Sequence, residues 1–419
     1  MEEIKRDLYL NRLISRRNSD FIKVITGMRR SGKSYLLFKL YYNYLLSIGI
    51  DEKHIITINL EDDKYEELYD RVKLREYIKS KIIDNKQYYL FLDEIQTIKD
   101  FERMLNGLNQ IENLDIYVTG SNSKFLSTDI ITEFRGRTEE IKVYPLSFFE
   151  FYNYYDGKNN NSLTEYLLYG GMPYTLSFDT PEEKSKYLKD LFKETFIIDI
   201  IDRYKIQKNE VLDTLTNILA SSVGSLTNPN RITDTFVSKG YKEVSNKTIE
   251  KYINCLLESF IISKAQRYDI KGRKYISVIS KYYFNDLGLR NALLNFRQFE
   301  ETHLMENAIY NELIYRGYNV DVGVVEVFKK DEDGKTIRVN YEIDFVCNKS
   351  YKRYYIQSAL TLDDEDKKER ELRPYLNIDD NFTKIIVTKN SPTYRNEDGV
   401  LIIGLKDFLL NQNIFDKII

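Results

Sequence analysis

Fourteen residues constrain this chain more than any others: Phe21 to Ser34, FIKVITGMRRSGKS. The apolar run Phe21-Ile22-Lys23-Val24-Ile25 predicts a short buried strand. Gly27-Met28-Arg29-Arg30-Ser31-Gly32-Lys33-Ser34 follows at once and fits G-x4-G-K-[ST]. From Tyr35 to Leu46, apolar residues recur at helical spacing, including Leu36, Leu37, Leu40 and Tyr44. Strand, loop, helix is the context in which this pattern binds phosphate. Glycines let the backbone bend around the phosphate and turn its N–H groups inward. The positive end of the following helix adds to the attraction. Lys33 is expected to reach the β- and γ-phosphates of ATP and Ser34 to hold Mg²⁺, with Gly27 to Tyr35 lining the nucleotide. The rival reading is a chance turn between a core strand and a helix.

Tyr88-Tyr89-Leu90-Phe91-Leu92-Asp93-Glu94 is the second signal, an apolar strand ending in two acids. At this distance after a phosphate loop, the first acid helps hold Mg²⁺ and the second polarises the attacking water. Asp93 is assigned to the metal and Glu94 to the water. A core strand followed by two solvated acids is the alternative.

The alternation continues with a helix over Phe101 to Ile111 and a strand over Leu114 to Thr119. That strand runs into Gly120-Ser121-Asn122-Ser123, where Ser121 and Asn122 are candidate γ-phosphate sensors; a polar turn is the equal alternative. Phe134-Arg135-Gly136-Arg137 precedes a strand near Glu140 to Tyr144. Arg135 and Arg137 are candidates for an arginine finger serving a neighbouring subunit, against a plain basic turn. Repeated β-α units imply a mainly parallel sheet covered on both faces, with the ligand at the carboxyl ends of its strands.

Bulk properties narrow the partners. The chain has 419 residues and a formal net charge of −3, so any attraction to nucleic acid must come from a local patch. Cys255 and Cys347 are the only cysteines, which fits a reducing cytoplasm and no disulfide framework. With only His54 and His303, a His-rich zinc site is excluded. No apolar run is long enough to span a bilayer, and the charged start MEEIKRDLYLNRL is no secretory leader. Residues 1–20 read as a solvated lead-in helix, basic at Arg12, Arg16 and Arg17.

Past the exposed loop at 156–162, the break Gly170-Gly171-Met172-Pro173 leads to helices over Glu182 to Ile201 and Val211 to Ser222, a helical lid with Arg203 as a candidate phosphate contact. Residues 206–279 read as a winged-helix unit. Ser245 caps a helix with an apolar face of Ile249, Ile253, Leu256 and Leu257. Phe260 to Ile262 and Tyr275 to Val278 are expected to pair around the basic turn Lys271-Gly272-Arg273-Lys274, which suits a duplex groove; protein contact is the alternative.

Residues 280–419 form a second α/β region. Tyr282 to Asp286 reads as a short strand and turn, His303 to Arg316 as a helix carrying Glu306, and Tyr341 to Val346 as a strand carrying Asp344. Tyr354 to Ala359 is its antiparallel partner. This is the outline of a metal-dependent nuclease core, but Ala359 stands where the activating lysine belongs, with Lys352 or Arg353 as distant substitutes. An inactive nuclease-like fold is the expectation.

The chain resembles prokaryotic AAA-type ATPases with a C-terminal domain of unknown function related to PD-(D/E)xK nucleases. The resemblance rests on GMRRSGKS, FLDEIQ, TGSNS, FRGR before PLSFFEF, YGGMP, YYFNDLGLRN, Glu306-Asn307 and EIDF at 342–345, and covers nearly the whole chain. It implies an α/β protein with an AAA-type P-loop core at 1–160, a helical lid at 161–205, a winged-helix-like domain at 206–279 and a nuclease-like domain at 280–419. It implies Mg²⁺-dependent ATP hydrolysis by Lys33, Ser34, Asp93 and Glu94. DNA, through the winged-helix segment, and further copies of the chain, through the Arg135/Arg137 turn, are candidate partners. An ATP-regulated nuclease and a non-catalytic nucleotide-bound regulator are the alternatives.

Overall fold

The computed structural model describes residues 3–121, 134, 136–155, 157, 161–241 and 243–415, with the backbone alone at 277 and 278. They divide into two compact units, Met1–Pro145 with Glu258–Phe260, and Leu146–Leu257 with Ile261–Ile419. The sequence reading set its first boundary at 160; the first unit ends at Pro145.

The first unit is built on a parallel sheet of five strands: β1 (Ile22–Thr26), β2 (Ile55–Asn59), β3 (Tyr88–Asp93), β4 (Leu114–Gly120) and β5 (Thr138–Lys142), ordered β2-β3-β4-β1-β5. Strands buried on both faces read as near-continuous apolar runs, as β3 does, while β1 and β4 are each interrupted by one charged residue, Lys23 and Asp115. In β3, Leu90 and Leu92 point one way, into a core shared with Leu74 and Ile78 of helix α3 (Arg71–Lys81) and Met104, Leu105 and Leu108 of helix α4 (Phe101–Leu108). Phe91 points the other way, against Tyr41 of helix α2 (33–47) and Tyr117 of β4. Helix α1 (Asp7–Ser15) buries Tyr9 and Leu13, and Arg6 before it is buried too. The lead-in segment is therefore anchored rather than solvated, because its apolar side and one cation find partners in this unit.

The one lysine inside β1 is explained by its far end. Lys23 is buried and pairs with Asp115, whose other oxygen accepts from Tyr117 Oη at 2.8 Å and from Asn18 N at 2.8 Å. A buried charge of this kind persists only when paired and hydrogen-bonded.

In the second unit, helices α5 (Phe148–Tyr154), α6 (Ser162–Tyr169) and α7 (181–204) precede α8 (Asn209–Ser221), α9 (Pro229–Ser238) and α10 (Asn246–Glu258). The expected cap holds, since Thr248 N donates to Ser245 Oγ at 3.3 Å. An eight-stranded mixed sheet follows, ordered β12-β13-β11-β10-β9-β8-β6-β7. Its strands are β6 (Ile262–Asp269), β7 (Lys274–Phe284), β8 (Asn319–Lys330), β9 (Thr336–Lys349), β10 (Lys352–Ala359), β11 (Thr383–Thr388), β12 (Tyr394–Arg395) and β13 (Leu401–Gly404). Helices α11 (Leu287–Leu293), α12 (Glu301–Tyr315), α13 (Glu365–Leu376) and α14 (Leu405–Leu410) complete the unit.

Two sequence expectations do not hold in the second unit. Tyr282 to Phe284 is no separate strand but the end of β7, which runs unbroken from Lys274. Ile262 accordingly pairs with Phe284, and Tyr275 with Tyr268, so the expected pairing of 260–262 with 275–278 does not form. The hairpin also belongs to a larger sheet, because β6 pairs in parallel with β8 through Arg267↔Val322. The basic turn thus caps a strand pair of the C-terminal sheet. Thr227, just before α9, bridges to Ser280 of β7.

Candidate nucleotide site

Sheet order places the chemistry. β4 lies between β1 and β3, so the phosphate loop after β1, the end of β4 and the acids after β3 share one edge. Each strand's carboxyl end opens there because all run parallel.

The loop is built so that its backbone takes up the space. Gly27 adopts φ +141, and a Cβ there would lie 2.1 Å from the carbonyl oxygen of Val143, so no side chain fits. Gly32 has φ +97 and precedes the helix that starts at Lys33. Arg6 fastens the loop from outside: its guanidinium donates to Ser31 O at 3.0 Å and Tyr144 O at 2.7 Å. Ser31 is buried, and its Oγ has no hydrogen-bond partner among the described residues.

Lys33 is buried with its Nζ 3.2 Å from Gly27 O and 3.1 Å from Met28 O. Its nearest carboxylate is Glu94, at 3.9 Å. Burial holds this ammonium below the usual lysine range, with Glu94 and Asp93 pulling the other way. Such a cation gains from a phosphate more than a solvated one does.

Asp93 ends β3 and accepts from the hydroxyl of Thr119, and the nearby Ser34 hydroxyl favours its charged form. Burial pushes its carboxyl up. The Thr119 hydroxyl also accepts from Glu94 N at 3.1 Å, so one side chain on β4 positions both acids. Glu94 sits at φ 50, an uncommon conformation for a residue with a Cβ and one concentrated at functional sites. Its carboxylate also accepts from the Gln96 amide.

The predicted residues are therefore partly gathered. Gly27, Met28, Lys33, Ser34, Asp93 and Glu94 share this edge with the buried Ser121. Arg29 is half-buried and pairs with Glu61 at 2.9 Å, and Arg30 is exposed at φ 60. Tyr35 turns its hydroxyl to the N-terminal segment, accepting from Ile4 N at 3.1 Å. Arg137 is exposed, and its carbonyl accepts from Ile22 N at 2.9 Å. Asn122 and Arg135 lie outside the described residues. Arg203 pairs with Asp199 at 2.7 Å within α7. Thr119 and Arg6 were missed; Thr119 had a signal, a hydroxyl two residues before the chosen Ser121.

Hard oxygen donors suit Mg²⁺. The Ser34 hydroxyl and Asp93 carboxylate supply such a pair beside the loop, and the crowded Gly27 and partnerless Ser31 hydroxyl complete a cradle that Mg²⁺·ATP fits.

The second unit holds a different charged centre. Glu306 of α12 and Asp344 of β9 meet as expected, but around Lys281 of β7, which the sequence reading did not pick. Lys281 Nζ lies 2.9 Å from Glu306, 2.8 Å from Glu342 and 3.3 Å from Asp344. Burial opposes its charge, but the three carboxylates outweigh this and hold the ammonium above its usual range. Tyr283, two residues on along β7, donates to Glu306 at 2.7 Å. Ser358 N donates to Asp344 at 2.8 Å, and Gln357 bonds Asp344 N and Glu371. Lys352 and Arg353, the substitutes read from sequence, are not at this centre; Arg353 bonds Asn348. Among the described residues no group of three or more His, Cys, Asp or Glu is placed to hold a metal ion.

Comparison with known proteins follows the same division. Residues 19–152 match the AAA domain family, and residues 160–300 match a domain of unknown function (DUF8612). An uncharacterized protein of Haemophilus influenzae is 34% identical over 413 residues, covering 97% of this chain and 98% of its own length. The chain belongs to the same family as that protein. A further relative, MJ1544 of Methanocaldococcus jannaschii, is 29% identical over 408 residues, 92% of this chain and 85% of its own. The Walker-type ATPase PABY2304 of Pyrococcus abyssi has a TM-score of 0.48 at 17% identity, over 70% of this chain and 96% of its own. The first unit is thus an AAA-type P-loop domain of the nucleotide-binding kind. No helix among the described residues is long and apolar enough to cross a membrane.

Proposed function

We propose that the chain hydrolyses Mg²⁺·ATP in its first unit and uses turnover to switch the state of the molecule. The observation that carries this is Lys33, buried against loop carbonyls with Glu94 no closer than 3.9 Å. ATP binding exchanges the carbonyls of Gly27 and Met28 for β- and γ-phosphate oxygens on Lys33 Nζ. The loop N–H groups and the start of α2 bind the remaining phosphate charge. Ser34 and Asp93 would hold Mg²⁺, which when bound neutralises charge on the phosphates. Glu94, oriented through Thr119, positions a water and takes its proton as that water attacks the γ-phosphorus. The bond from phosphorus to the β–γ bridging oxygen breaks, giving ADP and phosphate.

Arg137, exposed beside β5, is proposed as a group offered to a neighbouring copy, with Arg135 as the rival; both require a homo-oligomer. Nucleic acid is proposed as the partner of the basic β6–β7 turn, in place of a free wing, because that turn holds Lys271, Arg273 and Lys274 exposed. The nuclease alternative would require Glu306, Glu342 and Asp344 to be released from Lys281.

Phosphate release from Mg²⁺·ATP by wild type and Glu94→Gln tests the proposal. Turnover is expected in the first and a loss of about 10²–10⁴-fold in the second, the range of a removed general base. Equal rates in the two proteins would reject it.

A further inference from the structure

The β6–β7 turn does not project freely. Ile270 folds over the sheet and packs with Val325, Ile343, Val346 and Tyr355. Gly323 makes room, since a Cβ there would lie 2.9 Å from the Ile270 Cδ1. The turn is held by Asp269, which accepts from Gly272 N at 2.9 Å. Lys271 and Arg273 are thereby carried to the turn between β9 and β10, whose Ser350 adopts φ 54.

The two turns and the segment after α13 line one cavity of about 590 Å³. Lys271, Arg273, Lys352 and Arg353 line it together with Asp379 and Asp380, an excess of cations in a chain whose net charge is −3. Asp380 is already engaged, accepting from Tyr355 Oη at 2.6 Å and Phe382 N at 3.2 Å. A cationic cleft on an acidic chain selects a polyanion.

Aromatic rings narrow the class. Tyr351 is 86% exposed and Phe382 40%, both on the cavity wall. The Arg353 guanidinium lies 5.5 Å from the Tyr268 ring centre and 5.3 Å from that of Phe382, so cation and ring already meet here. Solvent-facing rings beside cations are what exposed bases stack on, and a duplex keeps its base faces covered.

We propose that this cleft binds a single strand of nucleic acid, its phosphates on Lys271, Arg273 and Lys352 and its bases against Tyr351 and Phe382. This rests on the reading of nucleic acid as the partner of the β6–β7 turn, and names the strand form and the second turn that completes the site.

Fluorescence anisotropy of the full chain, without nucleotide, tests it with a labelled oligo-dT and a labelled duplex of equal length. Oligo-dT is expected to bind at least about tenfold tighter than the duplex, and Tyr351→Ala to weaken it about five- to tenfold, the low end for one lost stacking contact. Lys271→Ala with Arg273→Ala is expected to weaken it further and to flatten its salt dependence. All three residues are exposed, so melting should not change. Binding of neither probe overturns both this proposal and the reading beneath it. A duplex bound as tightly as oligo-dT overturns the proposal and leaves that reading standing. Oligo-dT binding that ignores Tyr351→Ala reduces the cleft to general electrostatics and also overturns it.

Discussion

Each unit buries a lysine among acids, and the two are opposites. Lys33 has carbonyl oxygens at 3.1 and 3.2 Å and its carboxylate only at 3.9 Å, and burial holds its charge below the usual range. Lys281 has three carboxylates between 2.8 and 3.3 Å, and its charge is held above the usual range. The first cation is under-neutralised and prepared for an anion; the second is fully satisfied and ties helix α12 to β7 and β9. A buried lysine in an acidic setting signals chemistry only when its neighbours leave charge over.

The sharpest way to break this contrast is to remove Lys33. Lys33→Ala is expected to weaken ATP binding or turnover by about 10²–10³-fold, the range for one donor to transition-state charge. Thermal melting should remain within a few degrees of wild type.

Lys281→Met should do the reverse, leaving ATP turnover alone and destabilising the second unit by about 3–5 kcal/mol, as expected when buried charges lose their partner. The sign with pH follows from Glu306, whose carboxyl burial already pushes up. A carboxyl raised on folding adds stability below its unfolded value of about 4.3 and loses it as pH rises through the folded value. Denaturant melts should therefore show the loss in Lys281→Met shrinking as pH falls from 7 towards about 4, relative to wild type.

A smaller effect sharpens the account of the first site. Thr119→Val keeps shape but removes the hydroxyl shared by Asp93 and Glu94 N. Turnover should fall about tenfold, near 1.4 kcal/mol, with ATP affinity little changed and Thr119→Ser restoring the rate. Arg6→Met, which frees the carbonyls of Ser31 and Tyr144, acts on stability and not on the chemical step. It should cost the first unit about 1–3 kcal/mol in denaturant melts, the usual penalty for a broken buried bond to a charged group.

Much of the nucleotide site was legible because its determinants are local. GMRRSGKS and YYLFLDE carry strand, turn and acid within a few residues, and the structure joins Lys33, Ser34, Asp93 and Glu94 at one sheet edge. Parallel order was implied, but not that β4 separates β1 from β3, so Thr119 went unremarked in favour of the turn after it. Arg6 looked like solvated lead-in because its partners, Ser31 and Tyr144, are 25 and 138 residues away.

The second unit hid more. Lys281 lay between two short readings of what is one strand, and only the unbroken β7 puts Lys281 and Tyr283 on the same face towards Glu306. A lysine inside VISKYYF was the available signal. The helix with Glu306, the strand with Asp344 and the antiparallel β9–β10 pair were readable from periodicity. The curl of the β6–β7 turn over Gly323 was not, since it depends on packing between residues fifty apart in sequence.

One titration addresses the central contrast directly: ATP binding to wild type, Lys33→Ala and Lys281→Met, each confirmed folded. The account predicts affinity lost in Lys33→Ala and kept in Lys281→Met. Affinity kept in Lys33→Ala, or lost in a folded Lys281→Met, would contradict it.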